Sequence, residues 1–236
     1  MPRPSAKRVL ICFSYSGGGT VAFRPWAEVL PEDVELNLVC YPGREGRFST
    51  PLARSWEELM ADVMAAVRPL TWRPYVLLGH SLGAWVAFDV AVRMARAGGT
   101  APRALVVSAS EAPIDWHTRQ DASPNPDDSD EELLAWMSEV GQLPDAILAD
   151  PDLSQMAVDL LRADQQMSRT YRYPPQTRLD IPVQVFYGAK DPAVSAEESH
   201  RWRLLTTGDF QIEELPGEHF YTDEVWARLP DRITAL

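Results

Sequence analysis

Cysteine is scarce in this chain, with only Cys12 and Cys40 among 236 residues. Two thiols cannot build a disulfide framework or a four-ligand zinc site, so no structural metal is expected. Both sit in apolar, strand-like stretches and read as buried thiols. Long apolar runs are missing too. No segment reaches the roughly 18 consecutive apolar residues of a membrane span. The opening "MPRPSAKRVLICF" has too short an apolar stretch, and no small-residue cleavage pattern, for a secretory signal. A soluble, cytoplasmic protein is the expectation. Basic residues are outnumbered, 22 against 34 acidic, for a formal net charge of -12. That balance lacks the basic footprint of a nucleic-acid-binding surface. The glycine run in "SYSGGG" is not followed by Lys-Ser or Lys-Thr, so it is no phosphate loop.

The acidity is unevenly placed. Ten acidic residues and no lysine or arginine fall between Asp121 and Asp152, leaving 24 acids nearly balanced by the 22 basic residues elsewhere. At 45% apolar content the chain can bury one substantial core, and residues 1–236 read as a single domain.

Strand-like runs occur at residues 8–15, 34–41, 75–80, 104–110, 183–189 and 210–215. The first five are nearly continuous in apolar residues, as strands covered on both faces of a parallel sheet are. Helical patterns alternate with them. In "SWEELMADVMAAV", Ser55 and Glu58 form a capping-box pattern, and Trp56, Leu59, Met60, Val63, Met64 and Val67 recur at helical spacing. Residues 82–97 are apolar nearly all round and end at Gly98-Gly99, a buried helix with a glycine C-cap. The alternation predicts an α/β fold with a mostly parallel sheet flanked by helices. It breaks once. Residues 112–178, between the fourth and fifth predicted strands, hold an acidic stretch, "RQDASPNPDDSDEE", and then two or three helical patterns. One begins with a capping box at Ser129 and Glu132; another carries Leu153, Met156, Leu160, Met167 and Tyr171 along one side. Helices inserted there are expected to form a lid over the carboxyl ends of the strands, where ligands of such sheets bind.

The stretch "LLGHSLGAWVAF" puts Ser81 between two glycines where a strand gives way to a helix. Gly79-His80-Ser81-Leu82-Gly83 matches G-x-S-x-G in the context that gives this pattern meaning, a nucleophile on a sharp strand-to-helix turn. A serine hydroxyl needs a base, and the base needs an acid to fix its tautomer, in the chain order Ser, Asp or Glu, His. Of four histidines, His80 lies inside the turn, His117 precedes any later strand, and His200 sits within a helical pattern. His219, in "LPGEHF" after the last strand, is the candidate base. Asp191, in "YGAKDP" after the penultimate strand, reaches the same rim and is the favoured acid. Its rivals are Glu111, Asp115, Glu218 and Asp164, the last of which reads as a buried hydrogen-bonding residue. The developing oxyanion needs donors; the backbone N–H groups of Leu82 and Ser16 are the candidates.

At these residues the chain resembles the type II thioesterases, free-standing α/β-hydrolases that accompany polyketide and nonribosomal peptide synthases. The resemblance runs through "CFSYSGGG", "FRPWAEVLP", "YPGREGRF", "GHSLGA", "LRADQQMSRTYRY", "YGAKDP" and "TTGDFQIEELPGEHF". It departs in the first loop, where the family commonly has proline and alanine and this chain has Ser14 and Ser16. The resemblance implies an α/β-hydrolase fold and hydrolysis of acyl groups from the phosphopantetheine thiol of acyl or peptidyl carrier domains, without a cofactor; a monomer is the default expectation. Docking of an acidic carrier is expected on a local basic patch at Arg44 and Arg47. The alternatives are a small-molecule carboxylesterase with the same triad and a non-catalytic binding protein on a hydrolase scaffold.

Overall fold

Six short apolar runs become six strands: β1 Arg8–Phe13, β2 Val34–Val39, β3 Tyr75–His80, β4 Leu105–Ser108, β5 Val183–Gly188 and β6 Phe210–Leu215. The structure, a computed structural model, describes residues 3–114 and 124–236. All five strand pairings are parallel, in the order β2-β1-β3-β4-β5-β6. Every carboxyl end therefore opens on one edge. β3 sits inside the sheet between β1 and β4, and all six of its residues are buried. This is the α/β-hydrolase architecture.

The crossovers are helical: α1 Trp26–Val29, α2 Trp56–Val67, α3 Leu82–Arg96, α4 Asp130–Glu139, α5 Asp145–Leu148, α6 Pro151–Ser168 and α7 Ala196–His200; α8 Asp223–Arg228 follows the last strand. The helix α2 buries Trp56, Leu59, Met60, Val63, Met64 and Val67, the stripe expected from its periodicity. Each such side chain contributes roughly 1.5–3 kcal/mol. Its capping box is only half formed. Ser55 accepts from the Glu58 N–H, but the Glu58 carboxylate turns to the N–H of Arg54 instead of Ser55. At α4 the reciprocal box of Ser129 and Glu132 is complete. The helix α3 is buried on nearly all sides and ends in a Schellman turn. Gly99 N–H donates to the Met94 carbonyl and Gly98 N–H to Ala95, with Gly98 at φ 66°.

One core cluster fills the face covered by α2 and α3; a second, around Trp26, Phe23, Val76 and Leu229, fills the other. A third, Leu133, Met137, Val158 and Leu161, joins α4 to α6 between β4 and β5 in the chain. Here the expected face of α6 needs correction. Its buried stripe is Ser154, Val158, Leu161, Asp164, Met167 and Ser168, while Leu153 and Met156 remain 40% and 45% exposed. Met156 and Leu160 instead edge a surface groove of about 530 Å3 shared with Phe48 and Leu52. A helix with apolar residues on two sides leaves its inner side to be chosen by what it must meet. Here that is the first loop, which Asp164 holds. The acidic stretch is partly neutralised by this helix. Arg162 pairs with Asp130 and donates to the carbonyls of Pro126 and Asp128, and Arg169 pairs with Asp127.

Of the cysteines, Cys12 is buried as expected, but Cys40 is only partly so, because it follows β2 at the sheet edge. No helix among the described residues is long and apolar enough to cross a membrane.

Candidate active site

Ser81 leaves β3 in a conformation that few side chains adopt, with φ 54° and ψ -123°. The turn is held by the Ser81 N–H, which donates to the Ser108 carbonyl at 2.8 Å, and by the Ala84 N–H, which donates to the Ser81 carbonyl at 2.9 Å. The glycines are obligatory for a measurable reason. A Cβ on Gly79 would lie 2.0 Å from the Gly83 carbonyl oxygen, and one on Gly83 would lie 2.2 Å from that of Phe13. Strand β1, strand β3 and helix α3 thus converge backbone to backbone, and Ser81 is lifted out of the sheet edge at the head of α3.

His219 follows β6 and arrives at the same edge. Gly188, the last residue of β5, makes room for it, since a Cβ there would sit 2.1 Å from the Glu218 carbonyl oxygen. The Nδ1 of His219 lies 2.9 Å from Asp191 Oδ2. The other oxygen of Asp191 accepts the N–H groups of Ala193 at 2.8 Å and Val194 at 3.2 Å. Both side chains are buried, so the carboxylate has fixed partners on each oxygen. Of its rivals as the acid, Glu111 lines the cavity described below, and Asp164 is engaged elsewhere by Arg44 and Gly17. Asp115, like His117, lies outside the described residues. His200 ends the short helix α7, exposed and edge-on to Phe210.

Ser81, Leu82, Ser16 and His219 share one cavity of about 130 Å3, walled also by Tyr15, Trp85, Trp136, Gln142, Gln165 and Phe220. Ser16, in the loop after β1, and Leu82, in the first turn of α3, both line it. An N–H at a helix start has no partner within the helix and is ready for an anion. The aromatic rings of Tyr15 and Phe220 pack at 4.7 Å, and Phe220 meets His219 at 5.3 Å, screening the imidazole from solvent on that side. Among the described residues, no group of three or more His, Cys, Asp or Glu side chains is arranged to hold a metal ion.

Beneath the cavity lies a group that sequence reasoning passed over. His80 is fully buried, with its Nδ1 2.9 Å from Ser108 Oγ, which is in turn 2.8 Å from the Tyr221 hydroxyl. Its ring stands edge-on to His219 with centroids 5.2 Å apart. Burial, reinforced by the proximity of His219, drives the His80 pKa well below the ordinary histidine range, so it is neutral. Nothing in the motif distinguished a buried neutral histidine from a filler residue. Gln142 and Gln165 were missed as well, because a glutamine within a lid pattern carries no chemical signature.

The loop at Arg44 also differs from expectation. Arg44 is 4% exposed and forms a bidentate pair with Asp164, at 2.7 and 2.9 Å; Arg47 pairs with Asp62. The expected basic docking patch is absent at Arg44, because its charge is spent inside the molecule.

The family model for the thioesterase domain matches residues 8–233. The chain belongs to the thioesterase family. Among solved structures this thioesterase is similar to RedJ, a thioesterase from the prodiginine biosynthetic pathway in Streptomyces coelicolor. Identity is 34%, with a TM-score of 0.90, over all of this chain and 92% of that one. It is likewise similar to BorB, the type II thioesterase of the borrelidin biosynthetic cluster, at 32% identity and a TM-score of 0.84 over 98% and 92%. Thioesterase PikA5 of Streptomyces venezuelae is 32% identical over 99% of this chain and 82% of its own length. The AMB antimetabolite synthetase AmbE of Pseudomonas aeruginosa is 35% identical over 95% of the chain, which spans only 10% of that much longer protein. The thioesterase is therefore a hydrolase of thioesters, related to the type II enzymes of biosynthetic pathways.

Proposed function

We propose that this thioesterase removes acyl groups from the phosphopantetheine thiol of acyl or peptidyl carrier domains, unblocking a polyketide or nonribosomal peptide synthase, with Ser81 as nucleophile. The observation that carries this reading is the Asp191–His219 hydrogen bond, made at Nδ1, in a cavity that Ser81 also lines. With Nδ1 committed to Asp191, the free Nε2 takes the proton from Ser81 as its Oγ attacks the thioester carbonyl. The N–H groups of Ser16 and Leu82 receive the oxyanion of the tetrahedral intermediate. Collapse breaks the carbon–sulfur bond, the thiol leaves with the proton from His219, and an acyl-serine remains. Water, deprotonated by the same Nε2, then attacks the ester; a second collapse returns the proton to Ser81 and releases the carboxylic acid. No group outside the chain is needed, since sulfur is a good leaving group.

The helices α4, α5 and α6 act in this reading as a lid inserted at 112–178 within a single domain. Trp136, Gln142, Gln165 and Ser168, from this insertion, wall the cavity. The enzyme works as a soluble cytoplasmic monomer on a protein-borne substrate, not on nucleic acid. The test is mass spectrometry of a carrier protein loaded with a short acyl-phosphopantetheine, incubated with wild type and with Ser81→Ala. Wild type should strip the acyl group and the variant should not. If neither strips it while a simple oxygen ester is cleaved, the carrier assignment is wrong and the chain acts on small molecules.

A further inference from the structure

The loop that supplies Ser16 is held by bonds of its own, among them the Ser14 hydroxyl donating to the Gly19 carbonyl at 2.8 Å, and by side chains from the inserted segment. Residues 15–18 form a turn closed by the Gly18 N–H on the Tyr15 carbonyl at 3.0 Å, with Gly17 at φ 72°, as the third position of a type II turn requires. The peptide unit at the middle of that turn, the Ser16 carbonyl and the Gly17 N–H, is gripped at both ends by the inserted helices. Gln142, which follows α4, donates its Nε2 to the Ser16 carbonyl at 2.9 Å. Asp164, on α6, accepts the Gly17 N–H at 2.7 Å. The next residue on α6, Gln165, donates to the Ser16 hydroxyl at 3.2 Å.

Asp164 is itself fixed. Arg44 chelates both its oxygens, and the same guanidinium donates to the Gly18 carbonyl at 2.8 Å, while its face lies over the Tyr41 ring. Burial opposes the charge on Arg44, but the Asp164 carboxylate outweighs it, so the guanidinium holds its proton more tightly than usual. The contacts span 126 residues of sequence from Gln142 and 147 from Asp164 to the loop. Rotating the central peptide of this turn would break both grips at once and re-aim the backbone around Ser16.

From this geometry we infer that Gln142 and Asp164, the latter braced by Arg44, are positioning residues for the oxyanion donor, so that the donor is set only when α4 and α6 are seated on the loop. The inference rests on the proposed role of the Ser16 N–H. It makes two demands that a merely structural contact would not. Loss of a grip must weaken the transition state more than ground-state binding, and for Asp164, which does not line the cavity as Gln142 does, it must leave ground-state binding alone. The loss must also be modest for Gln142, whose removal leaves Asp164 in place, and larger for Asp164.

The test compares Gln142→Leu and Asp164→Asn with wild type in three measurements. These are kcat and KM on an acyl-pantetheine thioester, inhibition by a trifluoromethyl ketone analogue that forms a tetrahedral adduct, and inhibition by the non-hydrolysable acyl-pantetheine amide. Removing an oxyanion donor outright costs about 100- to 1000-fold in kcat. Loosening one should cost about 10-fold for Gln142→Leu and up to about 100-fold for Asp164→Asn. In Asp164→Asn ketone affinity should fall by the same factor as kcat while KM and amide affinity stay within about 2-fold; in Gln142→Leu, which also changes the cavity wall, ketone affinity should fall by more than amide affinity. Should Asp164→Asn not fold, Gln142→Leu with an unchanged melting temperature carries the test alone. Unchanged kcat in Gln142→Leu, or a parallel loss of ketone and amide binding, overturns the inference. Ser81→Ala is measured beside them: full activity there would instead overturn the site reading on which the inference stands.

Discussion

Asp191 holds His219 through one carboxylate oxygen and is itself held by two backbone N–H groups through the other. This arrangement dictates what an amide would do in its place. In Asp191→Asn the Ala193 and Val194 donors would select the amide oxygen, forcing the NH2 group toward His219 Nδ1. The imidazole would then carry its proton on Nε2 and could not accept one from Ser81. The expected outcome is a loss of kcat on the order of 10^4-fold with little change in folding, as for triads elsewhere. Steady-state kinetics with circular dichroism checks it.

The glycines around Ser81 are tested through stability. Gly79→Ala and Gly83→Ala each drive a methyl group into backbone that cannot step aside, at 2.0 and 2.2 Å from a carbonyl oxygen. Each should destabilise the fold by about 3 kcal/mol or more, at or beyond the upper end of overpacking costs. Gly46, where an added Cβ meets nothing within 4 Å, is the control and should tolerate alanine. Thermal melts of the three variants compare them directly.

His80 makes a prediction in pH. Its native-state pKa lies well below the unfolded value of about 6.5, so below pH 6.5 the unfolded chain binds a proton that the native state refuses. Stability contributed by the neutral imidazole is therefore whole above that pH. It is lost on acidification at up to about 1.4 kcal/mol per pH unit, until the native histidine also protonates. Replacing His80 by phenylalanine should flatten the dependence between pH 7 and 5, even if stability at pH 7 falls. Urea titrations across that range measure the slope difference, and parallel slopes would contradict it.

Arg44 and Arg47 stand three residues apart in one loop, yet they belong to different environments, Arg44 buried and Arg47 partly exposed. Removing Arg44 strands Asp164 without its partner in a dry site, and Arg44→Met should cost about 3–5 kcal/mol. Arg47 pairs with Asp62 where both side chains are about one-third exposed, and Arg47→Gln should cost about 0–1 kcal/mol from the pair. Denaturant unfolding separates the two.

The strand positions, α2 and the end of α3 were legible because burial on both sheet faces and 3.6-residue periodicity each leave one reading. The spacing of Gly79, Ser81 and Gly83, and the placement of Asp191 and His219 after successive strands, pointed to one rim. What escaped was set by tertiary choice. α6 has apolar residues on two sides, and only the need of Asp164 to meet Gly17 and Arg44 decides which turns inward. Arg44 looked like a surface charge because sequence does not reveal a carboxylate 120 residues away. Gln142 and His80 were silent for the same reason, their roles being defined by partners distant in the chain.

The most direct test of the account is to look for the acyl group on Ser81 itself. The enzyme would be mixed with an acyl-pantetheine thioester, quenched in acid within milliseconds and analysed by mass spectrometry of its proteolytic peptides. The account predicts an added acyl mass on the peptide carrying Ser81, appearing before free acid accumulates and absent from Ser81→Ala. Hydrolysis of the thioester by that variant at the wild-type rate, with no acylated Ser81 peptide in the wild-type enzyme at any time, would contradict it.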